Sequence, residues 1–179
     1  AEQLGTALAE HLLAQGAGRY KGIAVVPNNA SLTELQDLKA AGVVGVAFNA
    51  ALLGTAFYAD TAPLLQRLRD LDMWAQVQVE SDQLLDLNPL LLDSGTKVLF
   101  DHCGRPNAAA GLDQAGFQAM LGWASTARAC VKLSGCAKFA TQPRGPRQQP
   151  AVHHNAACQA CAKVQRQGRA KAARRPKLR

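Results

Sequence analysis

The sequence predicts an α/β fold in which parallel strands form the wall of a barrel. Three observations carry that prediction. Helical and strand-like segments alternate up to about residue 140 without hairpin signals, which implies parallel strands joined by helical crossovers. No Gly-x-Gly-x-x-Gly or Walker-type loop follows a strand, so nothing favours an open nucleotide-binding sheet. Gln76, Gln78 and Glu80 fall on one face of a strand whose other face carries Val77 and Val79. Helices on both sides of an open sheet would bury that polar row, whereas the mouth of a barrel brings it to a ligand.

The elements follow in order. Leu4, Leu8, Leu12 and Leu13 make an apolar stripe at helical spacing, closed by Gly16 and Gly18. Residues 22–27, Gly-Ile-Ala-Val-Val-Pro, form a short apolar run suited to a buried strand. Ser31 with Glu34 is a capping box that opens a helix through Ala41. Gly42 ends it, and a second strand runs from Val43 to Phe48. A Gly-containing loop leads to a helix over Thr61–Leu71 and a third strand over Trp74–Glu80. A helix over Asp82–Leu92, disturbed at Pro89, precedes a fourth strand over Lys97–Asp101. Leu112–Thr126 is an amphipathic helix, and Ala129–Leu133 a fifth strand. Strand parity places Cys130, Lys132 and Ser134 on one side of the fifth strand, and Val98, Phe100 and then His102 on the inward side of the fourth.

Composition divides the chain into two regions. The 179 residues are 48% apolar, enough to build a core, and no stretch approaches the length needed to cross a membrane. The 13 acidic residues all lie at or before Asp113. Residues 1–140 carry ten Lys and Arg, a net of −3. Residues 141–179 carry ten more with no acid, a net of +10. The division expected is a barrel-like domain over 1–140 and a basic tail over 141–179. An odd count of five cysteines at irregular spacing argues against a disulfide framework, and Ala1-Glu2-Gln3-Leu4 has no leader-like character. A reducing cytoplasm is the compartment expected.

His102 follows the fourth strand within Asp101-His102-Cys103-Gly104-Arg105-Pro106. An imidazole at a barrel mouth can bind a metal, polarise a carbonyl or shuttle a proton; the alternative is a loop histidine bonded to backbone. Arg105 can fork onto a substrate carboxylate or form a salt bridge with Asp101 or Asp113. Asn49, ending the second strand, is a substrate contact or a turn former. Gln78 and Lys132 point inward by parity, and Lys132 could equally pair with Glu80 across the barrel.

These residues carry a resemblance. The runs over residues 21–26, 42–49, 76–80 and 82–84, the Phe-Asp-His-Cys-Gly-Arg-Pro of 100–106 and the Val-Lys-Leu-Ser-Gly of 131–135 resemble the amidohydrolase-2 family, and within it enzymes similar to 2-pyrone-4,6-dicarboxylate lactonase. The match spans roughly residues 20–143. It implies a partial (β/α)8 TIM barrel of about five strands with the first and last barrel strands missing. It also implies a hydrolase acting on an ester, lactone or amide bond of a small carboxylated substrate. His102 then corresponds to a catalytic or metal-binding histidine from a middle strand, while Arg105 and Lys138 match positions near the substrate's anionic groups. Together with Asn49 and Gln78, they form the expected substrate-binding set. The resemblance leaves open a divalent metal such as zinc. No His-x-His pair precedes residue 20 and no Ser-Asp-Trp-Pro-like ending appears, so the chain is expected to be a fragment without hydrolase activity.

The tail supports three readings: a nucleic-acid-binding arm over 144–179, a zinc site from His153, His154, Cys158 and Cys161, or the product of a shifted reading frame. The frame-shift reading is the favoured one. Nucleic acid is a partner only through that tail, and the alternatives to a hydrolase are a basic-tailed nucleic-acid-binding protein and a non-functional translation product.

Overall fold

In the computed structural model, residues 11, 13–16 and 18–135 are described. Leu4, Leu8 and Leu12 of the apolar stripe, Cys136, Lys138 and the whole basic tail, with the domain boundary at 140, lie outside them. Among the described residues, five strands form one parallel sheet: β1 (Gly22–Ala24), β2 (Val43–Asn49), β3 (Trp74–Gln78), β4 (Lys97–Phe100) and β5 (Ala129–Val131). Their spatial order is their sequence order. Each crossover therefore advances one strand in the same direction. Right-handed crossovers of that kind put all the helices on one face, whereas a doubly wound sheet must reverse direction at a switch point. The sheet is a single-wound barrel wall, as the polar row on β3 predicts.

Helix α1 (Leu32–Ala40) starts with the predicted capping box: Glu34 N–H donates to Ser31 Oγ at 3.2 Å, and Ser31 N–H donates to Glu34 Oε2 at 2.7 Å. After β2 come two short turns absent from the sequence prediction, α2 (Ala50–Leu53) and a 3-10 turn over Ala56–Tyr58. Both are too short to show a helical period. Helix α3 (Ala62–Asp70) has Pro63 in its first turn and buries Leu64, Leu65 and Leu68. Helix α4 (Leu84–Ser94) retains Pro89 inside it, and α5 (Ala115–Gly122) passes into a 3-10 turn over Trp123–Thr126.

The core lies between sheet and helices. Val46, Phe48, Ala75, Val77, Val98 and Phe100 meet Leu35, Leu64, Leu65, Leu68, Leu84 and Trp123, all at most 3% exposed. Each such Leu or Phe contributes about 1.5–3 kcal/mol by leaving water. The Trp123 indole N–H donates to Asn88 Oδ1 at 2.8 Å, so its polar edge is satisfied inside that core. Gly45 is required by close approach: a Cβ there would lie 2.5 Å from the Trp74 carbonyl oxygen.

The register corrects one expectation. Phe48, Val77, Phe100 and Val131 stand in one lateral row and are buried against the helices. Ala47, Gln76, Leu99 and Cys130 form the neighbouring row on the opposite face. Val98 and Phe100 therefore point toward the helices, and the residues of β4 that share the polar face are Leu99 and, just beyond the strand, Asp101. Parity cannot be carried through to His102 because the backbone leaves the extended region there. His102, Cys103, Gly104 and Arg105 all have positive φ, between 43° and 71°.

Candidate active site

The C-terminal ends of β2 to β5 gather polar side chains at one mouth. Asp101 stands at its centre, only 4% exposed. Its Oδ1 lies 3.0 Å from Lys132 Nζ and accepts the His102 backbone N–H at 3.0 Å; its Oδ2 accepts from Gln76 Nε2 at 3.3 Å. A buried carboxylate needs such partners to keep its charge at tolerable cost. Lys132 directly follows β5, Asp101 directly follows β4 and Gln76 lies on β3, so this one group ties the ends of three adjacent strands together. Local sequence marks Asp101 only as an alternative, with Asp113, for a salt bridge to Arg105. Two expected pairings differ as a result: Lys132 binds Asp101 rather than Glu80, and Arg105 binds Glu80, at 2.9 Å, rather than Asp101 or Asp113.

The left-handed run brings the His102 ring back over the same mouth. Its Nδ1 lies 3.0 Å from Ser134 Oγ and its Nε2 3.5 Å from Asp101 Oδ2. Non-Gly residues reach positive φ at a cost that the surroundings must offset. Here Cys103 N–H donates to Lys132 O at 3.0 Å, Arg105 N–H to His102 O at 3.0 Å, and Ser81 N–H to Arg105 O at 3.1 Å. Gly135 is fitted to the ring: with φ +68°, an added Cβ would sit 2.5 Å from His102 Nδ1. The Lys-Leu-Ser-Gly run thus supplies the partner of Asp101, the partner of His102 and the space for the imidazole.

Beside this charged cluster lies a cavity of about 220 Å³. Asn49, Gln76 and Gln78 line it from the sheet; Leu52, Leu53 and Tyr58 line it from the two short turns. Tyr58 is buried, and its hydroxyl oxygen accepts the Asn49 backbone N–H at 2.7 Å. Asn49 precedes α2 without capping it through its side chain, and its Oδ1 is buried with no hydrogen-bond partner among the described residues. Of the predicted site residues, His102 and Arg105 stand at the β4 end, Asn49 and Gln78 line the cavity, and Lys138 lies outside the described residues. Gln76 belongs to both parts, since it lines the cavity and holds Asp101.

Among the described residues, no three His, Cys, Asp or Glu side chains converge as a metal site would require. His102 and Asp101 offer two donors, and a catalytic zinc takes three protein ligands. These residues do not by themselves fit such an ion.

A family model described as Amidohydrolase matches residues 1–169. The chain belongs to this amidohydrolase family. The match reaches beyond the span over which the motifs alone carry the resemblance. A 4-sulfomuconolactone hydrolase of Rhizobium radiobacter is 33% identical over 109 residues, covering 59% of this chain and 36% of that enzyme. A probable 2-pyrone-4,6-dicarboxylic acid hydrolase of Acinetobacter baumannii, solved with citric acid bound, superposes with a TM-score of 0.67 at 24% identity, over 90% of this chain and 57% of that one. An amidohydrolase of Burkholderia multivorans solved with bound zinc superposes with a TM-score of 0.56 at 21% identity, over 87% of this chain and 68% of that one. The likeness to the solved structures establishes the α/β barrel fold of this amidohydrolase chain. It spans 36% of the length of its curated relative and little over half that of the first structure. No helix among the described residues is long and apolar enough to cross a membrane.

Proposed function

We propose that the protein is a hydrolase that opens an ester, lactone or amide bond of a small carboxylated substrate. The observation that carries the reading is the convergence of His102, Asp101, Lys132 and Arg105 at the C-terminal mouth of a parallel barrel wall, directly beside an open cavity. That mouth is where barrels of this kind place their chemistry. Family membership and the names of the relatives support the reaction class and lend no support to the inactivity expected of a fragment, which this reading gives up.

Each residue has a role its chemistry suits. His102, held through Nδ1 by Ser134, polarises the scissile carbonyl or moves a proton at Nε2. Lys132 and Arg105 supply positive charge for a substrate carboxylate; each is already paired with an acid, so the substrate competes for a cation that is held in place. Lys138 is assigned to the same anionic end by its position in the family motif. Asn49 and Gln78 orient the remainder of the substrate. The compartment proposed is the cytoplasm, where an exposed thiol such as Cys130 stays reduced. Nucleic acid, which only residues 144–179 could contact, has no part in this function.

The test is replacement of the imidazole. His102→Asn keeps a polar side chain of similar reach and removes the titrating group. Hydrolysis of a carboxylated lactone, followed by proton release, should fall by about 100-fold or more in kcat. A variant as fast as the parent protein would remove His102 from the reaction.

A further inference from the structure

The mouth has two chemically distinct halves. The β4–β5 half is charged, with Asp101, Lys132 and Arg105 beside His102. The β2–β3 half, which is the cavity, has no charged side chain among its described lining residues. Its polar lining consists of amides and a phenol, and their hydrogen-bonding capacity is unevenly used. Asp101 can only accept from Gln76, so one N–H of the Gln76 amide is committed to the carboxylate and its carbonyl oxygen is left to accept from a ligand. The Asn49 oxygen is buried in the wall of the cavity and accepts from no described residue. Around them, Ala47, Phe48 and the rim residues Val25, Leu52 and Leu53 are apolar.

We propose that this cavity takes the uncharged arm of a monocarboxylate whose acid group lies toward Lys132, with preference for a hydroxyl on that arm. A second carboxylate there would meet no cation and would lose much of its hydration to largely apolar walls. A hydroxyl would donate to the Gln76 carbonyl oxygen, and an alkyl group would find apolar walls. Gln76 joins the two halves, lining the cavity while bonded to the carboxylate that holds Lys132, so one small ligand can span both. The inference rests on the proposed carboxylate end of the site and specifies what the other end accepts.

Three probes of matched chain length separate the outcomes: pentanoate, 5-hydroxypentanoate and glutarate, which differ only in a terminal methyl, hydroxyl or carboxylate. Their dissociation constants for the whole protein, measured by calorimetry, should place 5-hydroxypentanoate first and glutarate last. Glutarate should be weaker than 5-hydroxypentanoate by about ten-fold or more. Leu53→Arg, at a rim position 49% exposed, adds a cation and should raise glutarate affinity toward that of the other two; Val25→Lys, 85% exposed on the same cavity, serves as a second variant. Glutarate binding as tightly as pentanoate, binding of none of the three, or glutarate affinity unmoved by both rim cations would overturn the proposal. The readout does not depend on turnover. A protein that binds the probes in the stated order yet hydrolyses no lactone would contradict the hydrolase reading and leave this inference standing.

Discussion

Asp101 accepts hydrogen bonds from three directions, and each comes from a different part of the mouth. Lys132 is about half exposed while the carboxylate it serves is not, so the pair is asymmetric. Lys132→Met would leave the buried carboxylate short of its cationic partner and should cost about 1–3 kcal/mol in unfolding free energy, read from denaturant midpoints. A loss under a few tenths of a kcal/mol would show that the ammonium is dispensable to Asp101. Gly135 answers a steric demand at the same site. Gly135→Ala combines an unfavourable positive φ with a clash at the imidazole, and should cost about 1–3 kcal/mol. It should also lower hydrolytic activity more than Gly111→Ala, whose positive φ faces open space. Equal activities in the two variants would mean that the His102 ring does not need the space Gly135 leaves. Sequence reasoning reached His102 and Lys132 through strand ends and parity. It could not rank Asp101, whose importance lies in contacts from β3 and β5 that no local pattern records.

The elements were legible where a local physical rule governs them. Ser31 and Glu34 announce a helix start because each side chain satisfies the other's backbone N–H. That hydrogen bond from Ser31 also holds the Glu34 carboxyl below its ordinary pKa. Ser31→Ala should lower stability by about 1 kcal/mol in thermal or denaturant unfolding, whereas an unchanged midpoint would deny the cap its role. Alternation on β3 reads true because Val77 and Val79 are buried and Gln76 and Gln78 are not. The β4 prediction went astray where the chain stops being extended, since period-two reasoning ends with the strand. Near the other end of the strands, Lys97 donates to Asp72 at 2.6 Å. That hydrogen bond, together with the lysine charge, pulls the Asp72 carboxyl below its ordinary pKa. A folded-state pKa below the unfolded one stabilises fully above the ordinary carboxylate range, and the gain is lost as pH falls through the lowered value. The thermal midpoint of Lys97→Met should therefore lie furthest below that of the parent protein at neutral pH and approach it in acid. A gap independent of pH would assign the effect to the stacking of Lys97 on Trp74, with 5.0 Å between ammonium and ring centroid.

At the scale of the molecule, the sequential order of β1 to β5 decides the architecture, because it leaves one face of the sheet to the helices and the other to the mouth. The outer edges of β1 and β5 are paired with no other described strand. The alternation of elements made the fold class readable in advance. The two halves of the mouth were not readable, because the cavity is built partly by α2 and the following 3-10 turn, segments too short to leave a periodic trace. The most direct test of the central claim, that the strand ends of β2 to β5 form a hydrolase site, is a crystal structure of the protein with a hydroxy-acid product of lactone opening bound. The ligand is expected at this mouth, with its carboxylate within hydrogen-bond distance of Lys132 or Arg105 and its hydroxyl-bearing carbon beside His102. A ligand bound elsewhere, with this mouth filled only by water, would contradict the account.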